Sequence, residues 1–214
     1  METMSDFFTA RVDGYDEHML QEVEGCREGY SMLAELVPAD CQTLLDLGCG
    51  TGLELDAILE RHPFVEVTGI DLTEAMLQKL RAKHPDKSLR LICGDYFAVP
   101  FGEDAFDCAL SFESLHHFEK EAKSVLYERI FRALHAGGCY IECDYMVDTQ
   151  EEETFFFEEN RRLRKENGVP SDAYYHVDTP CTIDNTMVLL KKAGFASVEC
   201  RMRIGGTALL LARK

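Results

Sequence analysis

An apolar run, Thr43-Leu44-Leu45-Asp46-Leu47, breaks into the glycine-dense stretch Gly48-Cys49-Gly50-Thr51-Gly52, and nothing else in the chain restricts its fold so strongly. A helix-forming segment, Leu53–Glu60, follows at once, and a second apolar run, Val65–Ile70, stops at Asp71. Strand, glycine loop, helix, strand and acid in that order is how a parallel sheet assembles a nucleoside site at its carboxyl edge. Glycine has no Cβ, so the backbone there bends sharply and a ligand approaches it closely. A carboxylate at the tip of the neighbouring strand accepts hydrogen bonds from both ribose hydroxyls.

The same alternation continues along the chain. Strands are expected at 43–48, 65–71, 89–93, 106–112 and 139–145, with helices at 53–62, 73–84 and 119–135. Thr73 stands as an N-cap, Pro85 as a stop, and Gly137-Gly138 as the end of the third helix. The ending differs. After a helix at 182–193 and Gly194, strands at 196–204 and 207–213 are joined by Gly205-Gly206, and so short a link demands a hairpin. The expectation is an α/β protein with a doubly wound, mostly parallel seven-stranded sheet closed by a C-terminal antiparallel hairpin. A length of 214 residues suits one domain, 1–214, with a full-sized core. Within it we expect an N-terminal helical cap at 1–40, a cofactor-binding core at 41–145, a lid insertion at 146–181, and the final helix and hairpin at 182–214. Residues 5–37 carry a helical pattern, and both the cap and the lid are expected at the carboxyl edge of the sheet.

The spacing of the glycines bears on which nucleoside is bound. They fall at 48, 50 and 52, a G-x-G-x-G pattern rather than the G-x-G-x-x-G of dinucleotide folds. Asp46-Leu47-Gly48-Cys49-Gly50-Thr51-Gly52 resembles motif I of the class I S-adenosylmethionine-dependent methyltransferases of small-molecule type, and the terminal hairpin is similar to the end of their sheet. The resemblance covers roughly 40–214 and implies a Rossmann-like methyltransferase fold with S-adenosyl-L-methionine as cofactor. It implies that Gly48, Cys49, Gly50 and Gly52 hold the amino-acid end of the cofactor, with Asp46 steadying the loop or accepting from the ammonium. Asp71 then takes the ribose, Leu72 and Met76 wall the adenine, Asp95 meets its amino group, and Tyr96 flanks the base. Ser111 leads from the fourth strand into Leu115-His116-His117-Phe118, which resembles the segment beside the sulfonium in many enzymes of this class. His116 and His117 are the general-base candidates, because imidazole titrates near working pH; capping of the following helix is the alternative for either. Tyr15 and Arg11 are candidates for the cofactor carboxylate or the substrate, and Tyr174, Tyr175 and His176 for the substrate pocket.

Charge and composition narrow the partners. A formal net charge of -17 repels a phosphate backbone. The one basic cluster, Arg161–Lys165, ends a segment that opens with Glu151-Glu152-Glu153, an order that complements a helix dipole. A nucleic-acid partner is therefore not expected, and neither is a membrane. Nine cysteines, an odd number without a close Cys-x-x-Cys pair, argue against a disulfide framework or structural zinc and suit a reducing cytoplasm. The first residues are acidic and polar, unlike a secretory signal. Glu113 and Asp144 are scattered acids, and no metal is expected from them. The Asn/Asp-Pro-Pro-Tyr/Phe pattern of many base methylases is missing, and Pro180-Cys181 falls after the fifth strand rather than near the fourth. The expected function is methyl transfer to a small molecule. A tRNA-modifying or protein methyltransferase, or a cofactor-binding protein without turnover, stays open, as do the acceptor atom and the oligomeric state.

Overall fold

The structure, a computed structural model, describes residues 2–170 and 173–214. Seven strands form one sheet: β1 (Thr43–Leu47), β2 (Glu66–Asp71), β3 (Leu89–Cys93), β4 (Phe106–Phe112), β5 (Leu134–Tyr145), β6 (Ser197–Ile204) and β7 (Thr207–Arg213). Their order is β3-β2-β1-β4-β5-β7-β6, with β7 the strand that runs antiparallel to both of its neighbours. The chain therefore winds outward from β1 in one direction, returns, and winds outward through β4 in the other. That reversal lies between β1 and β4, where a doubly wound sheet opens a crevice at its carboxyl edge. Register aligns the strand tips: Leu47 pairs with Ile70 on one side and Ser111 on the other, and Asp71 pairs with Cys93.

Alternate residues of each strand point to opposite faces, so each buried strand feeds two cores. Leu44, Cys108, Leu110, Ile141, Leu209 and Leu211 pack with α3 (Cys26–Leu36), α4 (Leu53–Arg61) and α5 (Glu74–Lys83). Leu45, Leu47, Ala109, Tyr140 and Leu210 pack with α6 (Lys120–Ala133) and α8 (Ile183–Ala193). Helix α3 comes in very close. Tyr30 stacks on Phe112 at 3.8 Å, and a Cβ on Gly29 would lie 2.9 Å from Cys143 Sγ.

Two local expectations change. The single helical pattern at 5–37 is three helices: α1 (Met4–Arg11), α2 (Tyr15–Gln21) and α3. Gly25, at φ 84°, makes the last break, where a Cβ would lie 2.9 Å from Ile204 O. Helix α6 ends at Ala133, before Gly137-Gly138, and β5 begins at once with Leu134 opposite Phe106. The two glycines form a bulge instead of a helix cap. Gly137 takes φ 83°, a Cβ on Gly138 would meet Asp107 O at 2.8 Å, and the ladder resumes at Cys108 and Cys139.

The insertion carries α7 (Gln150–Glu166), begun by a Thr149–Glu152 capping box. Buried Glu153 ties it to the starts of two other helices, pairing with Lys120 and accepting from Thr182 N at 2.7 Å and from Asn185 Nδ2. Those contacts pull its pKa down to about 2 against the cost of burial. The basic cluster is engaged locally: Arg162 pairs with Glu159 and Glu166, and Arg164 donates to Pro170 O and Ala173 O. All nine cysteines are free, and no helix among the described residues is long and apolar enough to cross a membrane.

The contact at Gly29 is testable. Gly29→Val places two methyl groups against Cys143 and Phe112, and overpacking of this kind costs about 1–3 kcal/mol. Urea unfolding should show that loss; an unchanged midpoint would contradict the close approach of α3.

Candidate active site

The loop between β1 and α4 takes the form that its glycines permit. Gly48, Gly50 and Gly52 have φ of 77°, 46° and 73°, a region that side-chain-bearing residues rarely enter. A Cβ on Gly48 would strike the Ser114 side chain, and one on Gly52 would strike Leu80. At Gly50 nothing comes nearer than Gly48 O at 3.9 Å, so its bare face opens into a crevice. Asp71 holds this shape. Its Oδ2 accepts from Gly50 N at 2.9 Å and its Oδ1 from Thr73 N at 2.7 Å. Burial raises the Asp71 pKa to about 6, with the two amides opposing. The amides of Gly48 and Cys49 both point to Ile70 O, at 2.8 and 3.3 Å.

Gly48, Gly50, Asp71, Leu72, Met76, Asp95, Tyr96 and Tyr15 all line the crevice. Asp95 Oδ1 accepts from Phe97 N at 2.7 Å and Oδ2 from Tyr174 Oη at 3.1 Å. Tyr96 reaches Ser114 with its hydroxyl, 3.2 Å from both O and Oγ. Four other candidates from the sequence do not line it. Asp46 is buried beneath the loop and faces Glu54 of α4; neither of its oxygens has a donor. Burial, with mutual repulsion, raises Asp46 well above the usual carboxylate range, and burial lifts Glu54 to about 7, so the pair keeps a proton near neutrality. Cys49 is buried against Gly69, Gly52 against Leu80. Ser111 bonds Tyr140 Oη at 2.7 Å, under the sheet.

A second cavity, of about 890 Å³, opens beside the first, and the two share Phe8, Tyr15, Glu113 and His117 as walls. Its roof comes from segments far apart in sequence. Thr3 and Tyr175 form a β-bridge, Met4 N donates to Tyr174 O at 3.1 Å, and Phe7 stacks on His176 at 3.6 Å. Thr51 Oγ1 to Asp16 Oδ1 at 2.6 Å and Lys79 Nζ to Val12 O at 2.9 Å tie the cap to the glycine loop and α5. Arg11 also lines this chamber, although its guanidinium lies over Phe7 at 3.7 Å. From the insertion, Tyr174, His176 and Asp178 reach the cavities; neither Tyr175 nor any residue of α7 lines them.

Where the cavities meet, the chain gathers charge. His116 Nδ1 lies 2.6 Å from Asp144 Oδ1 and 3.5 Å from Glu113 Oε2. Burial disfavours the imidazolium, but Asp144, then Glu113 and Asp178, overcome it and lift the His116 pKa to about 9. His117 goes the other way: burial and the neighbouring His116 charge push it down to about 4. Burial raises Glu113 to about 7 despite His116. Glu113 also takes φ 45°, a strained backbone for a non-glycine residue, which turns its side chain into the junction. Asp178, Phe8 and Ser114 were not singled out from sequence. No local signal marks them, because each acts through a contact with a distant segment.

A family model described as a methyltransferase domain matches residues 44–138. The 24-methylenesterol C-methyltransferase 3 of Arabidopsis thaliana is 31% identical over 110 residues, covering 50% of this chain and 30% of that protein. The carboxy-S-adenosyl-L-methionine synthase of a Nitratiruptor species is 27% identical over 200 residues, covering 86% of this chain and 82% of that protein. Among solved structures, an O-methyltransferase family protein from Burkholderia thailandensis superposes with a TM-score of 0.75 at 19% identity, covering 99% of this chain and 63% of that one. The chain spans 29–42% of the length of the plant sterol methyltransferases it matches.

Gly48→Ala combines an unfavourable backbone with a clash against Ser114, and such strain costs about 1–3 kcal/mol. Adding Ser114→Gly should recover the part due to the clash. Equal urea midpoints for wild type and Gly48→Ala would contradict this loop geometry.

Proposed function

We propose that the chain is a class I S-adenosylmethionine-dependent methyltransferase that transfers the methyl group of S-adenosylmethionine to a small-molecule acceptor, a reading supported by the methyltransferase-domain model that matches residues 44–138. One observation carries the proposal: a crevice built on Gly50 and Asp71 shares the walls Phe8, Tyr15, Glu113 and His117 with a second, partly open chamber. The crevice residues fit this cofactor. The bare face of Gly50 is a cradle that a Cβ would fill. Each Asp71 oxygen holds one backbone amide and keeps a lone pair for a ribose hydroxyl. The amides of Gly48, Cys49, Gly50 and Gly52 are all donated within the protein, which disfavours a pyrophosphate that would need them.

When bound, the cofactor supplies a methyl group already activated on a positively charged sulfur. The chain's own residues then have three tasks. Asp71 anchors the ribose, Asp95 meets the adenine amino group, and Leu72 and Met76 wall the base. Tyr15 and Phe8 exclude water from the junction. His116 and His117 act on the heteroatom of the acceptor, His117 through the lone pair of an uncharged imidazole. Alignment of acceptor and methyl group supplies most of the acceleration in a reaction of this type. A chamber of about 890 Å³ roofed by Phe7 and His176 matches the size of small-molecule sites and suits such an acceptor better than a macromolecule. Nine free cysteines suit work in a reducing cytoplasm.

Isothermal titration with S-adenosylhomocysteine tests the cofactor assignment. Wild type should bind it and ignore NAD, and Asp71→Ala should weaken it about 10–100-fold, the loss of hydrogen bonds to a charged group. The carboxylate is the acceptor of those bonds, so affinity should be full about one pH unit or more above the Asp71 pKa of about 6 and fall as the pH drops through it. Undiminished affinity in a folded Asp71→Ala protein would rule the ribose role out. Release of S-adenosylhomocysteine in the presence of a panel of small hydroxyl, thiol and amine acceptors tests turnover.

A further inference from the structure

Among the described residues, two groups at the cavity junction bring three metal-ligating atoms within 4.8 Å of one another: Glu113, His116 and Asp144, and His116, His117 and Asp178. The first group is satisfied by the protein itself. Asp144 Oδ1 takes His116 Nδ1 at 2.6 Å and Tyr145 N at 3.0 Å, its Oδ2 takes Leu115 N at 3.2 Å, and Glu113 Oε1 accepts from Thr207 Oγ1 at 3.3 Å. The second is not. The atoms His117 Nδ1 and Asp178 Oδ1 are buried and make no hydrogen bond; they lie 3.2 Å apart, Asp178 Oδ1 also lies 3.9 Å from His116 Nε2, and the Asp178 side chain as a whole is 37% exposed. His117 as a residue is 9% exposed. Two polar atoms that are shielded from solvent at a cavity wall and make no hydrogen bond call for a third party, since each costs its desolvation when left unpaired.

We propose that His116 Nε2, His117 Nδ1 and the Asp178 carboxylate bind a divalent transition-metal ion on the chamber wall, next to the cofactor crevice. Two imidazoles and one carboxylate suit zinc, iron, cobalt or nickel rather than magnesium or calcium, which prefer all-oxygen shells. One separation is already that of a ligand pair, and the other needs an inward shift of about 0.6 Å. Metal–ligand bonds of about 2.0–2.1 Å in tetrahedral array put neighbouring ligand atoms roughly 3.3 Å apart. Here His117 Nδ1 and His116 Nε2 stand 3.2 and 3.9 Å from Asp178 Oδ1. Asp144 already fixes the ring of His116 through Nδ1, leaving Nε2 to face Asp178, which is how an outer carboxylate orients a metal-bound histidine.

Three protein ligands leave a fourth position open, and all three of these residues line the chamber. The role of that position rests on the methyltransferase reading. It would take a hydroxyl or thiol of the acceptor through its oxygen or sulfur. The proton of that group leaves to solvent, and a lone pair stays on the atom that faces the crevice. The histidines would then act on the acceptor through the ion rather than by direct proton abstraction. The absence of a metal expected from sequence followed from weighing Glu113 and Asp144. Asp178 supplies the ligand that the sequence did not reveal.

The test uses the full chain, stripped with chelator and titrated with cobalt(II), whose visible bands report coordination; S-adenosylhomocysteine binding is followed in parallel. Wild type should take up one cobalt(II) per chain with the bands of a four- or five-coordinate nitrogen and oxygen site. Asp178→Asn and His117→Gln should lose those bands. Asp178→Asn, outside the cofactor crevice, should still bind S-adenosylhomocysteine, which shows that it is folded. Asp144→Asn keeps all three ligands and should weaken uptake about 10–100-fold. Protein that binds S-adenosylhomocysteine but takes up no cobalt(II) overturns the metal site and leaves the methyltransferase reading standing. Uptake unchanged in Asp178→Asn and His117→Gln also overturns it, since the ion then lies elsewhere. Cobalt(II) bound as described without S-adenosylhomocysteine binding supports the metal site and tells against the methyltransferase reading instead.

Discussion

The Asp71 carboxylate joins the two strand tips on which the site is built. One oxygen accepts from Gly50 N and the other from Thr73 N, so a single side chain at the end of β2 fixes both the glycine loop after β1 and the first residue before α5. Each of those amides would otherwise be an unpaired donor near a helix start, and charged acceptors make the stronger hydrogen bonds. The contact also costs something, because burial lifts Asp71 to about 6. A partly buried carboxylate kept ionised at neutral pH, with lone pairs still free on the crevice side, is poised for hydroxyl donors.

Around that fixed edge the rest of the site is assembled from distant pieces. The cap helices, the tip of β4 and the stretch 173–178 meet over the crevice, joined by the Thr3–Tyr175 bridge and the Phe7–His176 stack. This division places parallel strands under the first crevice and segments from the cap and the insertion over the second cavity. Among the described residues the two cavities share Phe8, Tyr15, Glu113 and His117 as walls, and the shifted groups Glu113, His116 and His117 lie there. Opposite shifts on adjacent histidines have separate causes: Asp144 overcomes the cost of burial at His116, while burial and then the charge of His116 lower His117.

The central βαβ unit was legible in the sequence because its signals are local. Glycine spacing, apolar runs and an acid at a strand end each depend on neighbours within a few residues, and the hairpin at Gly205-Gly206 is equally local. What a motif does not encode is which way each of its side chains turns. Asp46 belongs to the same short motif as Gly48 and Gly50, yet strand alternation turns it away from the crevice toward Glu54, and Ser111 turns to Tyr140. Gly137-Gly138 reads as a helix end in sequence. It becomes a bulge because the close approach to Asp107 O is a contact between strands, invisible to a local pattern. Asp178 was illegible for the same reason, since its significance lies in its distance to His117.

A crystal structure of the protein with S-adenosylhomocysteine bound would decide most directly whether the crevice is a nucleoside site facing an acceptor chamber. Both ribose hydroxyls should lie on Asp71, with the thioether sulfur at the junction bounded by Phe8, Tyr15, Glu113 and His117. A nucleoside bound with its ribose away from Asp71, or with its sulfur turned from the chamber, would contradict that assignment.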